Sequence, residues 1–134
     1  MSTFTLKLIT PNKELFNGNI VSLQSMNAEG GFEIFANHEA YLTTVVPTMT
    51  KFVEENGTEH KLFTSTGVID FNKNELTFCC DAAEWPEDIN IDRAKEAKER
   101  AEKRLKSDKD IDVKRAKLAL ARALARIDIG SDFN

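Results

Sequence analysis

The chain has 134 residues, is 41% hydrophobic and carries a formal charge of −4. That is enough for one core of modest size with an appendage, and no run of about 18 apolar residues is present that could span a bilayer. The opening Met-Ser-Thr-Phe-Thr-Leu-Lys lacks the charged-then-apolar pattern of a secretion signal. A soluble, cytosol-facing protein is expected, one that reaches any membrane only through a partner.

The charge is unevenly placed. Asp92 to Arg126 holds 13 of the 18 Lys and Arg residues and 7 of the 22 acids, a formal charge of +6. Met1 to Ile91 holds 5 basic and 13 acidic residues, a charge of −8. A shift this sharp separates parts with different jobs. Residues 1–85 are expected to form one domain and 86–134 another.

The first part alternates with period 2 between turn signals, the pattern of half-buried strands. Phe4, Leu6 and Leu8 alternate with polar neighbours until Thr10-Pro11-Asn12. Val21 and Leu23 follow Gly18, and Gly30-Gly31 precedes Phe32 and Ile34. Met49 to Val53 leads into Asn56-Gly57, a hairpin signal because both residues accept positive φ. A second turn, Asn72-Lys73-Asn74, separates Val68–Phe71 from Leu76–Cys80. Short, regularly spaced strands predict a sandwich or flattened barrel, and eight of the nine Phe residues fall here to fill it. Cys79 and Cys80 are adjacent, so they make neither a disulfide framework nor a CxxC metal motif. At least one is expected to be a small buried residue on a strand.

Trp85-Pro86-Glu87-Asp88 ends the β pattern. From about Ile91 to Lys106 the chain is rich in Ala, Glu, Lys and Arg without Gly or Pro, and Asn90 or Asp88 can cap a helix there. Glu96/Arg100, Glu99/Lys103 and Glu102/Lys106 sit four apart with the acid first, the better orientation. Ser107 to Asp110 is a polar break. A second helix is predicted from about Asp112 to Ile127, stopping before Gly130. The apolar stripes are narrow: Ala94, Ala97, Ala101 and Leu105 on the first helix, and Val113, Ala116, Leu120, Ala123 and Ile127 on the second. Such seams suit a close antiparallel pair that buries little area. The hairpin is therefore expected to be weakly held and separable from the sandwich. The fold class expected is α+β: an N-terminal antiparallel β-sandwich followed by a two-helix antiparallel hairpin.

No catalytic constellation is legible. A Gly-rich loop ending in Gly-Lys-Ser/Thr is lacking, and neither His38 nor His60 has a Cys or His at metal-ligand spacing. His38, beside Asn37 in a turn, reads as a structural hydrogen-bonding residue. Arg93 and Arg100 share one helical face and Arg122 and Arg126 another, so folding back would bring four guanidinium groups to one region, where their forks suit phosphate oxygens. The alternative is a solvated basic face, or one that docks on an acidic protein, and spacing alone favours it. Nucleic acid is not an expected partner, because the basic half has no aromatic residue to stack a base.

The ordered set of motifs resembles a known family, the ε subunit of bacterial F-type ATP synthase (δ in mitochondria). The motifs are Ile9-Thr10-Pro11, Phe16-Asn17-Gly18, Glu29-Gly30-Gly31-Phe32-Glu33-Ile34, Asn37-His38, Leu42-Thr43, Gly67-Val68-Ile69, Asp81-Ala82-Ala83-Glu84, Ile89 to Ala94, and the run from Arg115 to Ile127. The resemblance implies a non-catalytic rotor subunit with no required cofactor. Its sandwich would touch γ and the c-ring at the cytoplasmic face of the membrane. Its hairpin would fold onto the sandwich or extend along γ towards the α and β catalytic subunits to hinder ATP hydrolysis, with Arg115, Arg122 and Arg126 as inhibitory contacts. Some members bind ATP in the folded-down state. Matched position by position, the residues here are Glu84, Ile89, Arg93, Ala94, Arg100, Arg122 and Arg126. Asn90 stands where that pattern has Asp, which removes a carboxylate but keeps a helix cap. Ala36-Asn37-His38-Glu39-Ala40-Tyr41-Leu42 replaces the usual turn, and Asn37 is expected to adopt the left-handed backbone that Gly would supply. Thr66-Gly67 stands where the family has two glycines. The residues also admit a free-standing ATP sensor, or an adaptor for an acidic partner.

Overall fold

The computed structural model describes residues 2–107 and 112–133. Nine strands come first: β1 (Phe4–Ile9), β2 (Glu14–Asn27), β3 (Gly30–Phe35), β4 (Tyr41–Val45), β5 (Thr48–Glu54), β6 (Glu59–Thr64), β7 (Gly67–Asn72), β8 (Glu75–Cys80) and β9 (Ala83–Glu84). A 3-10 turn (Pro86–Asp88) leads to helices α1 (Ile91–Lys106) and α2 (Val113–Phe133). The α+β architecture is as the sequence predicts. Among the described residues no helix is long and apolar enough to cross a membrane.

The strands run β4-β7-β8-β1-β2-β5-β6-β9, with β3 also on β2. Every pairing is antiparallel except β1 with β8. The long strand β2 holds the layers together. Its first half pairs with β1 from Phe4↔Ile20 to Ile9↔Glu14, and its second half takes β3 along the same edge and β5 along the other. The register against β5 slips between Ile20 and Ser22. A bulge of this kind bends and twists a strand, so one strand can serve two layers. The two ends of the strand order therefore share one core. Val45 of β4 and Leu62 of β6 are buried in the same cluster as Leu6, Leu8, Leu23, Phe52 and Phe78. Inside it, Ser25, Thr50 and Thr64 satisfy one another through hydroxyl contacts of 3.0 and 2.7 Å.

The turns differ in part from expectation. Asn37 does adopt positive φ, at 68°, and its side chain and backbone bond to Asn74. Two consecutive positive φ values occur at Lys73 and Asn74, between the paired residues Asn72 and Glu75, which makes this the mirror-image two-residue hairpin turn. At Asn56-Gly57 only the glycine has positive φ. There Gly57 N–H donates to Glu54 O, Glu54 N–H to Thr58 O, and the Asn56 side chain accepts from Thr58 N–H. Asn56 uses its side chain in place of a left-handed backbone. Gly18 is no turn: it lies within β2, opposite Leu6. Gly67 is obligatory, since a Cβ there would lie 2.2 Å from the Cys79 carbonyl oxygen.

Adjacent residues of a strand face opposite sides, so Cys79 is exposed and Cys80 buried. Burial, with the neighbouring Cys79 and Asp81, pushes the Cys80 thiol up to about 12. Because thiolate is the reactive form, iodoacetamide at pH 8 is expected to modify Cys79 alone in the folded protein, and both cysteines after denaturation. Mass spectrometry of the alkylated peptides checks this, and prompt native labelling of Cys80 would contradict the buried assignment.

Candidate functional site

Both helices start close to where the sequence predicts. Asn90 caps α1, its Oδ1 accepting from Arg93 N–H at 3.0 Å, and Asp112 caps α2 through Arg115 N–H at 3.0 Å. The acid-first pairs along α1 do not close into ion pairs, in keeping with the small value of exposed pairs. Of the polar break only Ser107 is described; Asp108 to Asp110 lie outside the described residues.

The seam is made of alanine, with Ala94 and Ala101 of α1 and Ala116 and Ala123 of α2 all buried. Val113, expected in the stripe, is instead 48% exposed. The predicted stop before Gly130 is wrong: α2 continues to Phe133. Gly130 is buried inside the helix, where a Cβ would lie 3.0 Å from Ile91 Cγ1 and 3.1 Å from Ile89 Cγ2. The missing side chain lets the backbone of α2 approach the start of α1, and that contact outweighs the roughly 1 kcal/mol helix penalty of glycine.

The hairpin seats on the sandwich through a small apolar cluster. Phe63 of β6, Ile89 and Ile129 are buried there, with Ile91 and Ala125 packed against them. Phe63 neighbours Leu62 in sequence and points the other way, out of the sandwich core and under the helices. Beside this cluster stands Arg126. Its Nε donates to Glu84 Oε1 at 2.5 Å, and its Cζ lies 4.3 Å from the centre of the Phe63 ring. The two charged side chains are 27% and 31% exposed, so water screens this pair less than one on an open surface.

A cleft of about 430 Å³ opens beside the pair, lined by Glu84, Asp88, Asn90, Arg93, Ala94, Ala97, Arg100 and Arg126. Five of the seven predicted nucleotide residues therefore come together: Glu84, Arg93, Ala94, Arg100 and Arg126. Ile89 does not line the cleft, because its side chain is drawn into the apolar seat. Arg122 does not line it either, so the expected convergence of four guanidinium groups is reduced to three. Four residues advance a helix by about 6 Å and turn it by about 40°, enough to take Arg122 out. Arg115 is exposed on the first turn of α2. Asp88 is a lining residue that the sequence reading offered only as a cap. Phe63 was missed; its signal is the adjacent pair Leu62-Phe63, which breaks alternation where a strand is covered on both faces. His38 keeps a structural place, its Nδ1 2.7 Å from Glu39 O and its ring beside Tyr41 and Phe71.

Fold and site thus define a two-part protein: a rigid β platform and a helical hairpin held on it by a small seat, with an arginine-lined cleft at the junction. Two family models match in succession. The β-sandwich domain of the ATP synthase delta/epsilon chain covers residues 3–86, and the long α-helix domain of the same chain covers 87–130. The chain belongs to the ATP synthase delta/epsilon chain family. It is 46% identical over 127 residues to the ATP synthase epsilon chain of Clostridium novyi (strain NT), covering 95% of this chain and 97% of that one. It is 50% identical over 110 residues to that of Clostridium perfringens (strain 13), covering 82% and 83%. The fold is similar to a chain of the Euglena gracilis mitochondrial ATP synthase (TM-score 0.84, 16% identity, covering 100% and 83%). It is also similar to a chain of the Tetrahymena thermophila mitochondrial ATP synthase (TM-score 0.63, 15% identity, covering 96% and 94%).

The close approach at Gly130 governs the seat. Gly130→Leu is expected to lift the last turns of α2 off Ile89 and Ile91 while leaving the sandwich folded. Hydrogen exchange should quicken in residues 125–131 and stay unchanged in β1, β7 and β8. Equal protection of α2 in the variant would contradict this account of the crossing.

Proposed function

We propose that this chain is a non-catalytic subunit of the rotor of a proton-translocating F-type ATP synthase. Its sandwich docks on γ and the c-ring, and it meets the membrane only through them, on the cytoplasmic face. Its hairpin is a mobile regulatory arm. Folded down, it takes the position described above. Extended, it reaches the α and β catalytic subunits and hinders ATP hydrolysis, with Arg115, Arg122 and Arg126 as its contacts. Family membership supports the assignment to the synthase. The smallness of the seat supports the movement, because among the described residues its buried cluster is Phe63, Ile89 and Ile129. Full burial of such side chains is worth about 1.5–3 kcal/mol each, a range that a partner surface or a ligand can offset. An exposed Arg115 and the +6 charge of the stretch from Asp92 to Arg126 suit an acidic surface on the catalytic subunits.

The cleft is proposed to take ATP as a regulatory ligand of the folded-down state. Arg93, Arg100 and Arg126 would hold phosphate oxygens, and Glu84, Asn90 and Ala94 would line the remainder. The observation that carries this reading is the convergence of three arginines from two helices on one cleft at the sandwich edge. The three arginines outnumber the two carboxylates of the cleft, Glu84 and Asp88, so its charge favours an anion that also takes up their N–H groups.

Two experiments test these readings. Deleting residues from Asp88 onward in the assembled synthase is expected to leave assembly intact and to raise ATP hydrolysis; unchanged hydrolysis would refute the inhibitory arm. Calorimetry with ATP and the isolated chain tests the ligand. Arg126→Ala is expected to abolish binding, and Arg104→Ala, which alters a residue outside the cleft, to leave it nearly unchanged. Equal loss in both variants would point to diffuse charge and away from a site.

A further inference from the structure

Arg126 differs from the other two arginines of the cleft in how it is held. Arg93 and Arg100 are exposed along α1. Arg126 is fixed on two sides: Glu84 takes its Nε–H, and its guanidinium carbon lies 4.3 Å from the centre of the Phe63 ring. An arginine has five N–H donors in a rigid fork. Occupying Nε leaves the two terminal nitrogens, and among the described residues no acceptor holds them. The Phe63 ring is completely buried and lines no part of the cleft. It belongs to the sandwich, and β9 places Glu84 directly opposite it in the ladder through the Phe63↔Glu84 pairing. The two groups that hold Arg126 are thus cross-strand neighbours on one rigid sheet.

We infer that Phe63 is a positioning residue for the anion cleft. Its ring and the Glu84 carboxylate preset the Arg126 fork so that its terminal N–H groups face the bound phosphates. This rests on the nucleotide reading proposed above and goes beyond it, because it ties the ligand to the platform. An anion held by Arg93 and Arg100 of α1 and by Arg126 of α2 is also held, through Arg126, to β6 and β9. Binding then tightens the seat of the hairpin, and by reciprocity a seated hairpin binds the anion more tightly. The ring contributes without touching ligand. It removes the entropy cost of fixing a long flexible side chain, and a cation over an aromatic face gains further attraction when shielded from water.

The test uses the full chain and two probes, ATP and inorganic tripolyphosphate, by calorimetry. Phe63→Leu keeps an apolar side chain in the seat and removes the π face. It is expected to bind both probes about fivefold more weakly, while thermal unfolding of the sandwich remains cooperative. Should that variant not fold, Phe63→Met takes its place. The same substitution made on an Arg126→Lys background, which keeps the charge and loses the fork, is expected to have little further effect, because Phe63 acts through the guanidinium. Equal affinity of wild type and Phe63→Leu would overturn the inference and leave the nucleotide reading standing. So would an undiminished loss on the Arg126→Lys background, which would mark Phe63 as packing only. Absence of binding by the wild-type chain to either probe overturns the nucleotide reading itself, and the inference with it.

Discussion

The arrangement depends on one contact: the Arg126 guanidinium held between the Glu84 carboxylate and the Phe63 ring. Among the described residues this is the ion pair that joins the two parts of the chain; the other pairs, such as Lys51–Glu59 and His60–Glu54, lie within the sandwich. Without it the hairpin is held by the small cluster of Phe63, Ile89 and Ile129 and by the short linker from β9. A partly desolvated ion pair is unforgiving, because breaking it by removing one partner leaves a charge without compensation. Moving the whole hairpin is a different event: it returns both charges to water and costs far less. The same contact can therefore be specific when closed and releasable when opened.

The sandwich is built as a platform. Its core holds three fully buried phenylalanines, Phe52, Phe71 and Phe78, and the bulged strand β2 ties its layers together. The hairpin has none of this depth. Its seam is alanine on alanine, which allows the helices to approach closely while burying little surface. Gly130 continues the same strategy at the point where α2 meets Ile89 and Ile91. Small residues give geometric precision at a modest cost in adhesion, which suits the movement proposed for the hairpin.

Much of this was legible in the sequence, for physical reasons that can be named. Strand alternation marked β1, β5 and β8 because each buries one face. The limits of α1 were readable because Asn90 supplies a cap and Ser107 follows a run of good helix formers. Asn37 was readable because a left-handed residue without Gly favours Asn. The misreadings share a cause, namely that tertiary contact overrode a local signal. Gly130 looks like a stop and is instead a crossing point. Gly18 looks like a turn and lies in a long strand. Asn56-Gly57 looks like the mirror-image turn, which falls instead at Lys73-Asn74. The cleft was legible only in part, since helical spacing brings arginines to a face but cannot say that Arg122 lies too far along it. Phe63 could not be tied to Arg126 at all, because the pairing of β6 with β9 fixes that neighbourhood.

The uneven charge of the chain gains a meaning from the seated position. Met1 to Ile91 carries −8 and Asp92 to Asn134 carries +4, yet among the described residues docking joins sandwich and hairpin through a single ion pair. Had attraction between the two parts been the purpose of that charge, many lysines and arginines of the helices would meet acids of the sheet. Most point to solvent: Arg93, Arg100, Arg104 and Arg115 are all exposed. In the proposed function, charge left unpaired in the seated position is available to an acidic surface or a polyphosphate. The seated hairpin pairs Arg126 with its own sandwich and leaves Arg93, Arg100, Arg104 and Arg115 exposed, and in the proposed function Arg126 serves both the seat and the ligand.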